Sequence, residues 1–125
     1  MNVLFIFLLM IFCHIVDDYY LQGWLASAKQ KDWWKQNAPH PLYSHDYIWA
    51  LIMHSFSWSF MIMLPIAFKL SFNIDVPFII CFVTNMTIPA IVDDLKANKK
   101  RINLWVDKMI HILQILVTLL VFMLI

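Results

Sequence analysis

An all-α membrane protein is the fold class this sequence predicts: four transmembrane helices in an antiparallel bundle, with an interfacial segment after the first. Three observations predict it. The chain is 62% hydrophobic and only 14% charged over 125 residues, whereas soluble domains carry about a quarter charged residues. Its apolar residues gather into four stretches, each near the ~20 residues that cross a ~30 Å hydrocarbon core. Its basic residues gather in the connections between them. Helices are the expected element, because an open sheet would leave backbone groups unsatisfied in lipid.

The first span is expected over residues 2–25. An apolar run from Val3 to Cys13 leads into His14, Asp17 and Asp18. No basic stretch precedes it, and the two aspartates stand where a small-residue cleavage site would be, so it reads as a permanent helix and not a leader. Trp24, Trp33 and Trp34 then alternate with Lys29, Lys31 and Lys35, the composition of a segment lying along a membrane face. Pro39 and Pro41 punctuate this connection, and His40 and His45 are expected to be solvated. The second span, residues 47–68, is the clearest and contains His54 and Pro65. The third, residues 76–95, starts beside Pro77, contains Pro89 and closes on Asp93 and Asp94. The fourth covers residues 104–125. All four form a single domain.

Charge sets the orientation. The connection after the first span and the one after the third hold seven basic residues between them, Lys29, Lys31, Lys35, Lys96, Lys99, Lys100 and Arg101; the middle connection holds Lys69 alone. By the positive-inside rule the basic loops face the cytoplasm and both termini lie outside it. A net charge of +1 argues against a nucleic-acid partner. Cys13 and Cys81 have no metal-like spacing and read as small buried hydrophobes.

Polar residues on apolar helices are the informative feature. His14, Asp18 and Gln22 recur every four residues and share one face of the first helix. Asn103, Asp107, His111, Gln114 and Thr118 do the same on the fourth. Asn85 and Asp93 share a face of the third, and His54 and Ser57 lie on the second. Counted at ~1.5 Å per residue, His54 and His111 sit about 10 Å in from the basic ends, with His14 and Asp18 at similar depth. Ionisable groups at such depth face a bundle interior and mark functional sites. Imidazole and carboxylate together suit zinc, manganese or iron. The expected ligands of one or two such divalent ions are His14, Asp18, His54, Asp93, Asp107 and His111. Two other readings stay open: a proton or ion path, and His–Asp pairs that only fix helix register. Asp17 and Asp94 are expected to point elsewhere, toward lysines or headgroups. Lys96 and Lys108 are expected to snorkel to the interface, Lys96 alternatively holding an anionic group.

The stretch His14-Ile-Val-Asp-Asp18-Tyr-Tyr-Leu-Gln22 resembles the H-x3-D-x2-LQ signature of small bacterial and phage membrane proteins known as domain of unknown function 3307. Asp93 and Lys96, then Asn103-Leu-Trp and Asp107-x3-His111, resemble that family's second half, and His54 matches its histidine on the second span. The resemblance covers nearly the whole chain and implies a bacterial inner membrane. Members often carry a histidine four residues before the aspartate matching Asp93; this chain has Pro89 there. If a metal site needs that ligand, this chain has either lost it or rebuilt it from Asn85 or a carbonyl freed by the proline. The family implies no reaction.

The functional expectation is a metal-dependent membrane hydrolase acting on a lipid or phosphate-type substrate at the cytoplasmic face. Asp18 would be ligand or general base and Lys96 would hold an anionic group. The alternatives are a small ion- or proton-coupled transporter or channel, assembled as a homodimer because four spans enclose little space, and a non-catalytic membrane effector.

Overall fold

The computed structural model describes residues 2–124, and every regular element among them is helical. Helix α1 spans Val3–Val16 and runs into a π-helical turn, Asp17–Leu21. Two short helices follow, α2 (Leu25–Ala28) and α3 (Lys31–Asn37), then a 3-10 turn, Pro41–Tyr43. Three long helices complete the chain: α4 (Asp46–Lys69), α5 (Val76–Ala97) and α6 (Leu104–Leu124). Four stretches are long and apolar enough to cross a membrane: Val3–Leu21, Pro41–Lys69, Val76–Ala97 and Leu104–Leu124. They match the four expected spans to within a few residues at most boundaries. The expected end of the last, Ile125, lies outside the described residues.

Polar residues at the boundaries set where helices start. The Asn2 side chain accepts from the Leu4 N–H at 2.8 Å, Asp75 from Phe78 at 2.9 Å and Asn103 from Val106 at 3.0 Å. Each satisfies a first-turn donor that has no partner within its helix. Asn103 is thus an exposed cap and not part of the inward stripe. Gly23, the chain's single glycine, has φ +52° and ends the first span in a conformation that costs other residues about 1 kcal/mol or more.

α4 packs against α1 and α5, and α6 packs against α1 and α5. The start of α5 meets the end of α6, Phe78 against Phe122 at 6.3 Å between ring centroids. The end of α5 meets the start of α6, where Lys96 bonds Asp107. The first and third connections also touch: Asn98 accepts from the Lys31 N–H at 2.7 Å and donates to the Lys29 carbonyl at 2.9 Å.

One half of the interior is apolar, packed by Ile6, Met10, Ile62, Met63, Ile66, Ile115, Leu119 and Phe122. Outward faces are apolar too: Leu4, Phe5, Leu8 and Phe12 on α1, and Leu113, Val117 and Leu120 on α6, are all exposed. Water does not tolerate apolar surface of that extent; lipid does. Because lipid is as apolar as leucine, burial supplies little drive between the helices, and close packing with interhelical hydrogen bonds carries more of it. Ser59 donates to the Phe82 carbonyl at 2.8 Å and Lys69 to the Phe122 carbonyl at 2.9 Å. Such bonds contribute roughly 0.6 to 2 kcal/mol each in a membrane. The other half of the interior is polar.

Candidate metal centre

α6 builds the first part of this polar half. Asp107 and His111 are one turn apart on the inward stripe and both are buried. Further along the same stripe, Thr118 donates its only hydroxyl hydrogen to the Gln114 carbonyl at 2.8 Å, so toward Asn85 Nδ2, also at 2.8 Å, it acts as acceptor. That orients Asn85, whose Oδ1 accepts from Gln114 Nε2 at 3.2 Å. Gln114 is thereby oriented in turn, and its Oε1 faces His111 Nδ1 at 3.1 Å. An amide oxygen only accepts, so Nδ1 carries hydrogen, and in the neutral ring Nε2 keeps its lone pair.

That lone pair points at another. His111 Nε2 lies 2.9 Å from Asp107 Oδ1, and the oxygen has no hydrogen-bond partner. Two electron-pair donors so close in the interior require a proton between them, on the ring or on the carboxyl, or a cation. Asp93 on α5 joins them: Asp93, Asp107 and His111 each bring one ligand atom within 4.8 Å of the others. The histidine fixed through its far nitrogen is the arrangement that orients metal-binding imidazoles.

The π-turn builds the second part. A π-turn closes i→i+5, so each residue rotates less than in an α-helix and adjacent residues can share a face. Asp17 and Asp18 both lie inward and buried. Asp17 was expected to point away; its exposure is 0%, it accepts from the Ser57 hydroxyl, and with Asp18 and His54 it forms a second group of ligand atoms within 4.8 Å of one another. The spacing of aspartates in the sequence carries no sign of the wider turn.

Three lysines complete the charge pattern. Lys29 Nζ lies 3.0 Å from Asp93, Lys96 2.6 Å from Asp107 and Lys108 2.6 Å from Asp18. Lys29, expected in a segment lying along the membrane face, is instead buried, because α2 packs on α4 and covers it. Lys96 and Lys108 turn back onto carboxylates instead of reaching the interface, which a low-dielectric interior favours. Asp94 behaves as expected, bonding Asn98 at 2.8 Å with Lys99 at 3.7 Å. His40 and His45 are exposed.

His14 is buried on the inward face as its spacing implied, its Nδ1 3.4 Å from Asp18, but that nitrogen is already engaged. Its Nδ1 accepts from the Trp58 indole at 2.8 Å, and its ring stands 5.5 Å from that of His111. With Nδ1 occupied as acceptor, the neutral ring carries its hydrogen on Nε2 and offers no free lone pair. His14 belongs to neither group of ligand atoms. Trp58 is fully buried against both histidines, 5.8 Å from the His14 ring and 4.7 Å from the His111 ring. Asn85 is a link in the relay to His111 and not a substitute ligand for the position of Pro89, which is itself buried.

No protein-family model matches the chain, and neither a curated protein nor a solved structure matches it.

Proposed function

We propose that this chain is an inner-membrane protein, an antiparallel bundle whose basic loops face the cytoplasm, holding a divalent cation between Asp93, Asp107 and His111. The meeting of both ends of α5 with the opposite ends of α6 supports the antiparallel reading. The contact of the two basic connections through Asn98 supports a shared side. Trp24, Trp33 and Trp34, edge to face at 5.0 to 6.0 Å, suit an interfacial segment. The resemblance to domain of unknown function 3307 belongs to the same proposal and names no reaction.

One observation carries the metal reading: the lone pair of His111 Nε2, set by the Gln114 relay, facing an unpartnered carboxylate oxygen at 2.9 Å. Hydrolysis is the activity that fits such a centre best, since a bound cation polarises an oxygen of the substrate and yields a nucleophile from water near neutral pH. Lys96 and Lys108 keep 31% and 22% of their side chains exposed at the basic end, where they favour an anionic substrate, a lipid headgroup or another phosphate-type group. Asp18, between Lys108 and His54, is the candidate base or a further ligand.

A coupled transporter is the weaker reading for a single chain. Beyond Asn85 and Thr118 the described interior holds no buried charged side chain and is packed by the apolar core around Ser59. Metal analysis decides first. Detergent-purified protein should carry near-stoichiometric zinc, manganese or iron by mass spectrometry, and His111→Ala and Asp107→Asn should lose it. No metal in the unaltered protein, even after reconstitution with each ion, sinks the hydrolase reading and moves the case to proton coupling or structural pairing.

A further inference from the structure

Each buried carboxylate of the cluster except one has an ammonium partner. Lys29, Lys96 and Lys108 take Asp93, Asp107 and Asp18; among the described residues no lysine or arginine pairs with Asp17. Yet Asp17 is the most deeply placed of the two π-turn aspartates, at 0% exposure. Its Oδ1 is held by the Ser57 hydroxyl, and its Oδ2 has no partner. A buried carboxylate without compensation is expensive, and the group facing it is not an obvious donor.

That group is His54 Nδ1, 3.7 Å from Asp17 Oδ2 and itself without a hydrogen-bond partner. The other ring nitrogen, Nε2, looks at two carboxylates, Asp18 Oδ1 at 3.4 Å and Asp93 Oδ2 at 3.5 Å. A nitrogen between two acceptors is the one that carries the hydrogen, so the neutral ring leaves its lone pair on Nδ1. With the ring neutral, a carboxylate oxygen and an imidazole lone pair thus face each other across 3.7 Å in the interior, an arrangement that calls for a further proton or a cation. Ligands bonded at roughly 2.0 to 2.2 Å to a tetrahedral ion stand roughly 3.4 Å apart. The spacing is that of two ligands with an ion between them, slightly open.

We propose that Asp17, Asp18 and His54 hold a second divalent cation, separate from the one assigned to Asp93, Asp107 and His111 and adjacent to it through His54. The π-turn carries both successive aspartates inward, and Ser57 fixes one oxygen of Asp17 so that the other faces His54. The inference extends the metal reading but does not depend on the first ion being there: its ligands, apart from the shared neighbourhood, are its own.

Equilibrium dialysis against Mn2+ and, separately, Zn2+, with metal counted per chain in detergent-purified protein, tests it. The unaltered protein should bind two ions, Asp17→Asn one and His111→Ala one. Asparagine has the size of aspartate and can keep the Ser57 contact; size-exclusion behaviour and helical content report whether it folds. Ser57→Ala offers an independent variant, expected to weaken one ion by roughly 10- to 100-fold as lost support of a ligand does. One ion that survives Asp17→Asn and disappears in His111→Ala overturns this inference and leaves the first centre standing. One ion that disappears in Asp17→Asn and survives His111→Ala supports it and overturns the first centre. Two ions that both survive Asp17→Asn overturn it, and so does an unaltered protein that binds none.

Discussion

The Trp58 indole N–H donates to His14 Nδ1 across 2.8 Å, and this bond separates a histidine that packs from the histidines that can bind. The same indole lies 4.7 Å from the His111 ring, so one tryptophan positions both imidazoles. His14→Ala should therefore leave metal content near that of the unaltered protein while lowering stability by about 1 to 3 kcal/mol, because it strands a buried indole N–H. Metal analysis alongside thermal unfolding in detergent separates the two effects. Loss of metal in His14→Ala equal to that in His111→Ala would return His14 to the ligand set.

Gln114 touches no ligand atom of the cluster except through His111 Nδ1. Gln114→Leu removes the acceptor that keeps hydrogen on that nitrogen, and metal affinity should fall roughly 10- to 100-fold. Gln114→Glu, which retains an acceptor oxygen, should restore most of it. Chelator competition gives the affinities. Nitrogen-15 NMR of His111 should show the Nδ1–H tautomer in the unaltered protein and its loss in the leucine variant.

Buried and exposed lysines should differ sharply. Lys29 and Asp93 have side chains 8% and 3% exposed, and removing one partner of a buried pair costs about 3 to 5 kcal/mol. Lys99 is 54% exposed beside Asp94, and such pairs contribute about 0 to 1 kcal/mol. Lys29→Met should unfold well below the unaltered protein and Lys99→Met close to it. Because a cation can replace the missing ammonium, saturating Zn2+ or Mn2+ should recover part of the loss in Lys29→Met.

The cluster sets four carboxylates, Asp17, Asp18, Asp93 and Asp107, against the three ammoniums of Lys29, Lys96 and Lys108. With neutral histidines its net charge is one negative, and any divalent ion reverses the sign. A buried positive surplus draws in an anion. Inorganic phosphate should bind at least ~10-fold more tightly to metal-loaded than to metal-free protein, a ratio read by phosphorus NMR or calorimetry. Equal affinity in the two states would remove the argument for a phosphate-type substrate.

Orientation is testable with single cysteines in a background where Cys13 and Cys81 are serine. A membrane-impermeant thiol reagent added to whole cells should label Asn73→Cys in the middle connection. It should reach Lys35→Cys and Lys100→Cys only after the cells are opened. The opposite pattern would invert the bundle.

How legible was all this in the chain? Four spans and the residues that interrupt them were plain from composition and periodicity. An apolar stretch of about 20 residues has few other fates, and a stripe at four-residue spacing needs only a regular helix to become a face. So Asp107 and His111 on α6, His54 on α4 and Asp93 on α5 are all locatable from the sequence. Asp17 is not, because it stands beside the stripe of His14, Asp18 and Gln22, and its packing against Ser57 and His54 is set by a helix 40 residues away. Lys29 is not, because a lysine in a short connection reads as lying along the membrane face until a neighbouring helix covers it.

The sequence by itself determined which residues are too polar for lipid and on which helix face each regular stripe lies, since helix pitch and hydropathy are local properties. Only the tertiary structure decided which hydrogen bond each of them makes. It gave His14 to Trp58 and Asp93 to Lys29, 44 and 64 residues away along the chain, and left Asp17 Oδ2, His54 Nδ1 and Asp107 Oδ1 without partners. Pairings of that kind depend on how packed helices bring distant side chains together, and no local periodicity encodes them.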